Sequence, residues 1–277
     1  MANSVQVRDA LSNAQAILKT DSNVLESQLL LGHVLSKPRS WLLAHDDEIL
    51  DIDSLRELAK LVDQRRAGVP IAYLLGYQEF WSLELKVTPA TLIPRPDTES
   101  LVEALLVKSH GKSQTILDLG TGSGAIALAL AKERPMDIVF GMDKSIAAIK
   151  VAKYNQTKHQ LNNVQFFVGN WCTAIADQSI DVLVSNPPYV ADHDPHLDEL
   201  KFEPLSALTA GADGLKDIRQ LCATAARCLK PGGTLAVEHG FDQQSAVMDI
   251  FTQHHFVRVS GFPDLQGNDR FVMGTVQ

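Results

Sequence analysis

A glycine-rich pentapeptide that joins an apolar strand to a helix constrains this chain more than any other feature of its sequence. The predicted strand covers residues 116–119, the helix covers residues 125–133, and the loop between them reads Gly120-Thr121-Gly122-Ser123-Gly124. Because glycine has no side chain, such a loop lets a ligand contact the backbone at the carboxyl end of a strand. The pattern predicts a nucleotide-type cofactor site in an α/β domain.

The rest of the chain after Thr115 supports an α/β class, because short apolar strands alternate there with amphipathic helices. This alternation is typical of a parallel sheet with right-handed crossovers. Two further strands, at 257–260 and 271–274, have no long helix between them, and we expect them to pair antiparallel at the edge of the sheet. The predicted parallel strands are residues 116–119, 138–142, 164–168, 180–185 and 234–237.

The N-terminal part has a different pattern. Residues 1–75 are helical in period and predict a small helical-bundle domain, residues 76–90 alternate like a β-hairpin and form a connector, and residues 91–277 make the α/β domain. We interpret residues 1–75 as a docking module, since the α/β domain already contains a nucleotide-binding unit. The helical stripes consist of Leu11, Ala14, Ile17 and Leu18, and of Leu55, Leu58, Ala59 and Val62.

Polar side chains follow the next two strands. Asp143 closes the second strand, where a carboxylate accepts hydrogen bonds from ribose hydroxyls, and Asn170-Trp171 follows the third, where an amide and an indole can contact an adenine. The loop by itself does not identify the cofactor, because Gly120, Gly122 and Ala125 also fit the looser pattern of dehydrogenases.

The tetrapeptide Asn186-Pro187-Pro188-Tyr189 comes directly after the strand at 180–185, so it lies over the same carboxyl edge as the glycine loop. Its prolines lack N–H groups and leave carbonyls free to accept hydrogen bonds. A planar NH₂ nitrogen is a poor nucleophile and must be oriented. The Asn186 side-chain oxygen and the Pro187 carbonyl can each accept one of its N–H groups, and Tyr189 can stack on the planar target. This arrangement predicts methyl transfer from S-adenosylmethionine to such a nitrogen.

Composition excludes several classes of protein. The formal charge of −8 gives no excess of Lys and Arg for a general grip on nucleic acid, so no stable nucleic-acid binding is expected. No apolar stretch is long enough for a membrane span, and the N-terminus does not resemble a secretory signal, so we expect a cytoplasmic protein. Cys172, Cys222 and Cys228 lack the spacing of a zinc site, and no metal is expected.

With these motifs the sequence resembles the release-factor glutamine methyltransferases, the PrmC/HemK family, over nearly its whole length. The tetrapeptide is shared with adenine and other amino methyltransferases, whereas the RPDTE sequence upstream of it is typical of a narrower range of families. The segments that carry the resemblance are residues 92–99 (LIPRPDTE), 118–124 (DLGTGSG), 186–189 (NPPY), Phe202-Glu203-Pro204 with Ala207-Leu208, and Glu238-His239-Gly240.

The resemblance implies a seven-stranded, Rossmann-like class I methyltransferase sheet behind the helical domain. It implies that residues 120–124 bind the methionine part of S-adenosylmethionine, Asp143 the ribose and Trp171 the adenine region, with Asn170 standing where many relatives have Asp. Residues 186–189 would hold the glutamine of the Gly-Gly-Gln tripeptide in class 1 peptide chain release factors.

Alternative functions remain open at this point. They are a nucleic-acid amino methyltransferase, a dehydrogenase and a non-catalytic nucleotide-binding module. The sequence leaves the oligomeric state unspecified.

Overall fold

The computed structural model describes residues 5–108 and 113–277. The chain divides into two compact units, Met1–Gly76 and Tyr77–Gln277. Residues 1–4 of the predicted helical domain and residues 109–112 of the predicted α/β domain lie outside the described residues. Across the described residues, we find no helix with the length and apolar character that a bilayer crossing requires.

The first unit is a helical bundle in which α1, α2 and α4 pack against one another around Leu30 and Leu31, which are fully buried. The predicted stripes are largely on the buried side, but Ile17 and Ala59 are exposed and Leu61 is buried instead. The helices of this unit are α1 (Val7–Leu18), α2 (Asn23–Leu35), α3 (Arg39–Ala44), α4 (Ile52–Arg66) and α5 (Ile71–Leu75).

A largely buried ion pair joins two helices of this bundle. The Arg65 guanidinium on α4 donates two hydrogen bonds to the Glu26 carboxylate on α2, at 2.8 and 3.1 Å, and Thr20 donates a third at 3.0 Å. The side chains of Arg65 and Glu26 are 22% and 10% exposed. Because two parallel N–H···O bonds fix both distance and angle, this pair sets how α4 lies on α2.

The second unit begins with the expected hairpin, β1 (Tyr77–Phe80) and β2 (Leu83–Lys86), paired antiparallel. Its apolar side chains enter the core of this unit. The buried Asn155 side chain fastens the hairpin to the rest of the unit: its oxygen accepts from Lys86 N at 2.7 Å, and its NH₂ donates to the Lys86 and Ser123 carbonyls at 3.1 and 2.9 Å.

The seven-stranded sheet has the order β5-β4-β3-β6-β7-β9-β8, and β9 pairs antiparallel with both β7 and β8. The α/β class, the Rossmann-like sheet and the antiparallel edge are therefore confirmed. The elements are α6 (Thr98–Lys108), β3 (Thr115–Leu119), α7 (Ala125–Glu133), β4 (Ile138–Asp143), α8 (Ile146–Lys158), β5 (Val164–Val168), β6 (Ile180–Ser185), α9 (Lys216–Cys228), β7 (Leu229–Glu238), α10 (Gln244–Gln253), β8 (Val257–Pro263) and β9 (Asp269–Thr275).

Side chains alternate between two hydrophobic cores, one on each face of the sheet. On β6, Val182 and Val184 enter the core that contains α6 and α7, whereas Leu183 enters the core that contains α9 and α10. This alternation is the period of a strand that is buried on both faces. Helices therefore cover both faces, and the open positions for a ligand are at the ends of the strands.

We expect Arg65→Met to lower the free energy of unfolding of the first unit by about 3 kcal/mol, because it leaves the Glu26 carboxylate buried without its cation. Amide hydrogen exchange in α2 and α4 measures this change. The matched control is Arg66→Met, since the neighbouring Arg66–Asp63 pair is exposed on both sides and should contribute little. Equal effects of the two substitutions would contradict the stabilising role that we assign to the Arg65–Glu26 ion pair.

Candidate active site

The functional residues predicted from sequence lie along one edge of the sheet. β3, β4, β5, β6 and β7 run parallel to one another, so their carboxyl ends meet at that edge. The register places Leu119 beside Met142 on one side and beside Ser185 on the other. The loops after β3, β4 and β6 therefore begin at the same level.

The glycine loop curls over this edge in left-handed backbone conformations. The φ angles of Gly120, Gly122 and Gly124 are 75°, 56° and 88°, values that favour glycine. Gly120 N and Thr121 N both donate to the Met142 carbonyl, at 2.8 and 2.9 Å. A Cβ atom at Gly120 or Gly122 would meet no atom of the described chain within 4 Å. The space above the loop is open, as a ligand that contacts backbone requires.

Asp143 holds the loop from the end of β4. Its carboxylate accepts from Gly122 N at 3.0 Å and from Ser145 N at 2.8 Å. The side chain is only half-buried and lines a cleft that also contains the glycine loop. A carboxylate has lone pairs beyond these two bonds, so Asp143 can still accept hydrogen bonds from ligand hydroxyls.

Asp118, which the sequence analysis assigned no role, lies beneath the loop and is 1% exposed. One carboxylate oxygen accepts from the Thr121 hydroxyl at 2.6 Å and from Ala127 N at 3.3 Å, while Oδ1 has no hydrogen-bond partner among the described residues. Burial raises the pKa of this carboxyl to about 7. An acidic residue at the end of an otherwise apolar strand was the signal for it. Asp118 lines the cleft, and a buried carboxylate oxygen without a partner suits a cationic group.

The tetrapeptide is anchored to the strand beside it, because Ser185, just before it, donates to the Leu119 carbonyl at 2.6 Å. Asn186 and Pro188 line the same cleft as the glycine loop, and Pro187 is buried. Tyr189 is half-buried, and its hydroxyl lies 3.5 Å from Glu238 Oε1. Burial is the main cause that raises the pKa of Tyr189 above its ordinary value, and the phenol stays protonated.

Asn186 also contacts the segment that begins α6. Its Nδ2 donates to the Thr98 hydroxyl at 3.2 Å. Since the side-chain amide uses its NH₂ in this bond, its oxygen is left to accept from other groups.

A second buried carboxylate connects two segments that line the cleft. Glu203 is 5% exposed; its Oε1 accepts from the Arg95 guanidinium at 2.5 Å and its Oε2 accepts from Ile93 N at 3.0 Å. Arg95 and Pro204 both line the cleft. The ion pair therefore holds residues 92–98 and 203–207 as two walls. Both segments carry the family resemblance, but no pattern in the sequence predicts that they contact each other.

The cleft brings most of the predicted cofactor residues together with Asn186 and Pro188, whereas Gly124, Pro187 and Tyr189 are not among the described residues that line it. Asn170, exposed, and Trp171, half-buried, lie on it beside the glycine loop and Asp143. Asn186 and Pro188 lie on it as well. The arrangement can hold one ligand against the open glycine loop and a planar group of a second ligand against the Asn186 amide.

Comparisons with known proteins agree with this geometry. Residues 9–76 match the PrmC N-terminal domain, and residues 96–201 match the Methyltransferase small domain. A protein named release factor glutamine methyltransferase from Vibrio cholerae is 47% identical, over 98% of this chain and 97% of its own length. The proteins of the same name from Coxiella burnetii and Escherichia coli are 42% and 40% identical, each over 97% of this chain and over 98% and 96% of their own lengths.

Among solved structures, a methyltransferase from Pyrococcus furiosus matches 77% of this chain and 98% of its own, with a TM-score of 0.56 and 16% identity. That likeness concerns the fold alone. The sequence identities extend over both units of the chain. The chain therefore belongs to the release factor glutamine methyltransferase family, and it is a methyltransferase.

Proposed function

We propose that this enzyme transfers a methyl group from S-adenosylmethionine to the side-chain amide nitrogen of the glutamine in the Gly-Gly-Gln motif of class 1 peptide chain release factors. One observation carries the proposal: the open glycine loop and the Asn186 amide line a single cleft. The name shared by the relatives, release factor glutamine methyltransferase, supports the choice of substrate.

The residues on the cleft fit S-adenosylmethionine. The open space above Gly120 and Gly122 suits its methionine part, and the free Oδ1 of Asp118 suits its ammonium group. Asp143 can accept from the ribose hydroxyls, and Asn170 and Trp171 can contact the adenine. When bound there, this cofactor supplies a methyl group on a positively charged sulfur.

The chain's own groups orient the nitrogen that receives the methyl group. The Asn186 side-chain oxygen and the Pro187 carbonyl each accept one N–H of the substrate amide, which directs the nitrogen lone pair toward the cofactor site. Both acceptors bind more strongly as the nitrogen gains positive charge, so they lower the barrier. Tyr189, the last residue of the tetrapeptide, packs against the core that contains α9 and α10, with its hydroxyl toward Glu238.

A nucleic-acid amino methyltransferase would present the same kind of planar NH₂ group to Asn186. It would also need basic surface for phosphates, and this chain carries a net charge of −8. Substrate identity, rather than the chemistry of the tetrapeptide, therefore separates the two functions.

In the deciding experiment, intact release factor, a release factor with Gln→Glu in its Gly-Gly-Gln motif, DNA and RNA are each incubated with the enzyme and labelled S-adenosylmethionine. We expect label on the glutamine of intact release factor, located by mass spectrometry, and none on the Glu form, because a carboxylate lacks the N–H donors that Asn186 and Pro187 read. The Asn186→Ala enzyme is the control and should be slower by on the order of 10²-fold. Equal labelling of the Glu form, or preferred labelling of nucleic acid, refutes the proposal.

Asp118 gives the cofactor affinity a pH dependence. A cationic ligand binds the carboxylate form, whose pKa is raised to about 7 by burial. The affinity for S-adenosylmethionine should therefore rise with pH by up to about tenfold per unit below pH 7 and level off above it. Calorimetry from pH 6 to 8.5 measures this, and Asp118→Asn should flatten the profile. A wild-type profile that is already flat would remove Asp118 from the cofactor site.

We further propose that residues 1–75 dock the release factor, with the boundary to the hairpin at residues 76–90. This unit exposes apolar side chains on the stretch from α3 to α4: Leu43, Ile49 and Ile52 are each at least 60% exposed. Binding of remote surface can position the reacting nitrogen.

We expect Leu43→Glu combined with Ile52→Glu to raise KM for intact release factor about tenfold, as the loss of roughly 1.4 kcal/mol of contact energy would. The control is a short peptide with the Gly-Gly-Gln motif, whose methylation should be unchanged because the peptide lacks the release-factor surface that this unit would bind. A similar loss with both substrates, or no loss with either, argues against docking there.

A further inference from the structure

Glu238 ends β7 directly beside the tetrapeptide, is 1% exposed, and contacts two residues of the proposed site. The Tyr189 hydroxyl lies 3.5 Å from its Oε1. The Thr98 side chain lies close enough to this carboxylate to lower the pKa of Glu238, while Oε2 has no hydrogen-bond partner among the described residues. Thr98 is 4% exposed at the start of α6. A carboxylate therefore lies behind Thr98, which lines the cleft.

The carboxylate decides where the Thr98 hydroxyl proton points. An ionised carboxylate only accepts hydrogen bonds, so the neighbouring hydroxyl turns its proton toward Glu238. The Thr98 oxygen is then left to accept, and Asn186 Nδ2 donates to it at 3.2 Å. The Glu238 charge therefore orients the Thr98 hydroxyl, and the Thr98 oxygen orients the Asn186 amide.

This direction decides which end of the Asn186 amide is available to a substrate. With the NH₂ group directed to Thr98, the side-chain oxygen is the end left for another partner. In the flipped amide, the NH₂ group would meet the NH₂ group of the substrate, and two donors cannot hydrogen-bond to each other. The productive orientation therefore depends on Thr98 and on the carboxylate behind it.

We propose that Glu238 and Thr98 are positioning residues that hold the Asn186 amide with its oxygen toward the substrate nitrogen; this inference rests on the proposed function. Other charged groups near the Glu238 carboxylate change its pKa. Arg270 on β9 favours its charged form, and Asp97 beside Thr98 opposes it. Arg270 is itself held by Asp264 at 2.9 Å and lies 3.5 Å from Asp97.

The test compares Thr98→Val, which keeps the shape but removes the hydroxyl, with Thr98→Ser, which restores it. Single-turnover methylation at saturating S-adenosylmethionine should fall at least tenfold in the Val variant and return to within about threefold of wild type in the Ser variant. Cofactor affinity should change less than about twofold in either. Ser100→Ala is the matched control, because that buried hydroxyl in the same turn of α6 bonds to the Asp97 carbonyl and should leave the rate unchanged. A Thr98→Val enzyme as fast as wild type overturns the proposal while leaving the proposed function intact.

The pH profile tests Glu238 separately. Burial raises the pKa of its carboxyl to about 7, and the anion is the form that accepts from Thr98. The single-turnover rate of the wild type should therefore rise through about pH 7, and Glu238→Gln should remove that rise. Saturation with the cofactor eliminates the contribution of Asp118. A Glu238→Gln enzyme with the wild-type profile would overturn the role of Glu238.

A measurement without turnover distinguishes this inference from the proposed function. The side-chain amide NMR signals of Asn186, identified by their loss in Asn186→Ala, should shift and exchange faster with solvent in Thr98→Val than in Thr98→Ser. Unchanged signals overturn the positioning role even if the enzyme methylates its substrate. If the signals change but wild type does not methylate release factor, the positioning stands and the proposed function fails.

Discussion

The parallel pairing of β3 between β4 and β6 is the constraint on which the site depends. The hydrogen bonds of this ladder align Leu119 with Met142 and with Ser185. The glycine loop, Asp143 and the tetrapeptide belong to distant parts of the chain, yet each begins one residue past this aligned row. A shift of one residue in either pairing would turn every side chain of the strand to the other face. The cofactor loop and the amide acceptor would then no longer share a cleft.

Local patterns in the sequence were sufficient to predict the elements and the sheet edge. The strand at 116–119, the glycine loop and the tetrapeptide each carry their own signal, so the fold and the position of the cleft followed from them. The first unit was predicted less well in detail, since Ile17 has helical spacing with Leu11 and Ala14 but is exposed. The spacing of apolar residues shows which side of a helix is buried, but it does not show how wide the buried face is. Which residues bind ligand stays a prediction.

The contacts that could not be predicted are between buried charges and distant segments. Arg95 and Glu203 are 108 residues apart in sequence, and no periodicity links them. Glu238 likewise reaches Thr98 and Tyr189 only because β7 ends beside β6. Both carboxylates lose hydration when buried. Hydrogen bonds from Arg95 and Ile93 offset that loss at Glu203, whereas Glu238 Oε2 has no partner among the described residues and the pKa of its carboxyl is raised. Such residues are recognisable in sequence as acids within apolar segments, whereas their partners are defined by topology.

The position of β9 constrains the order in which the sheet can assemble. β9 is the last strand in sequence but lies between β7 and β8, so β8 has no neighbour in the sheet until β9 has paired. During synthesis from the N-terminus, the parallel strands can associate as they emerge, but β8 must wait for a segment made after it. The last step among these strands is then the pairing of β9 with β7, which brings β8 to the edge of the sheet. Arg270, one of the charges around Glu238, arrives with that strand, so the electrostatic surroundings of the site are completed only in this final step.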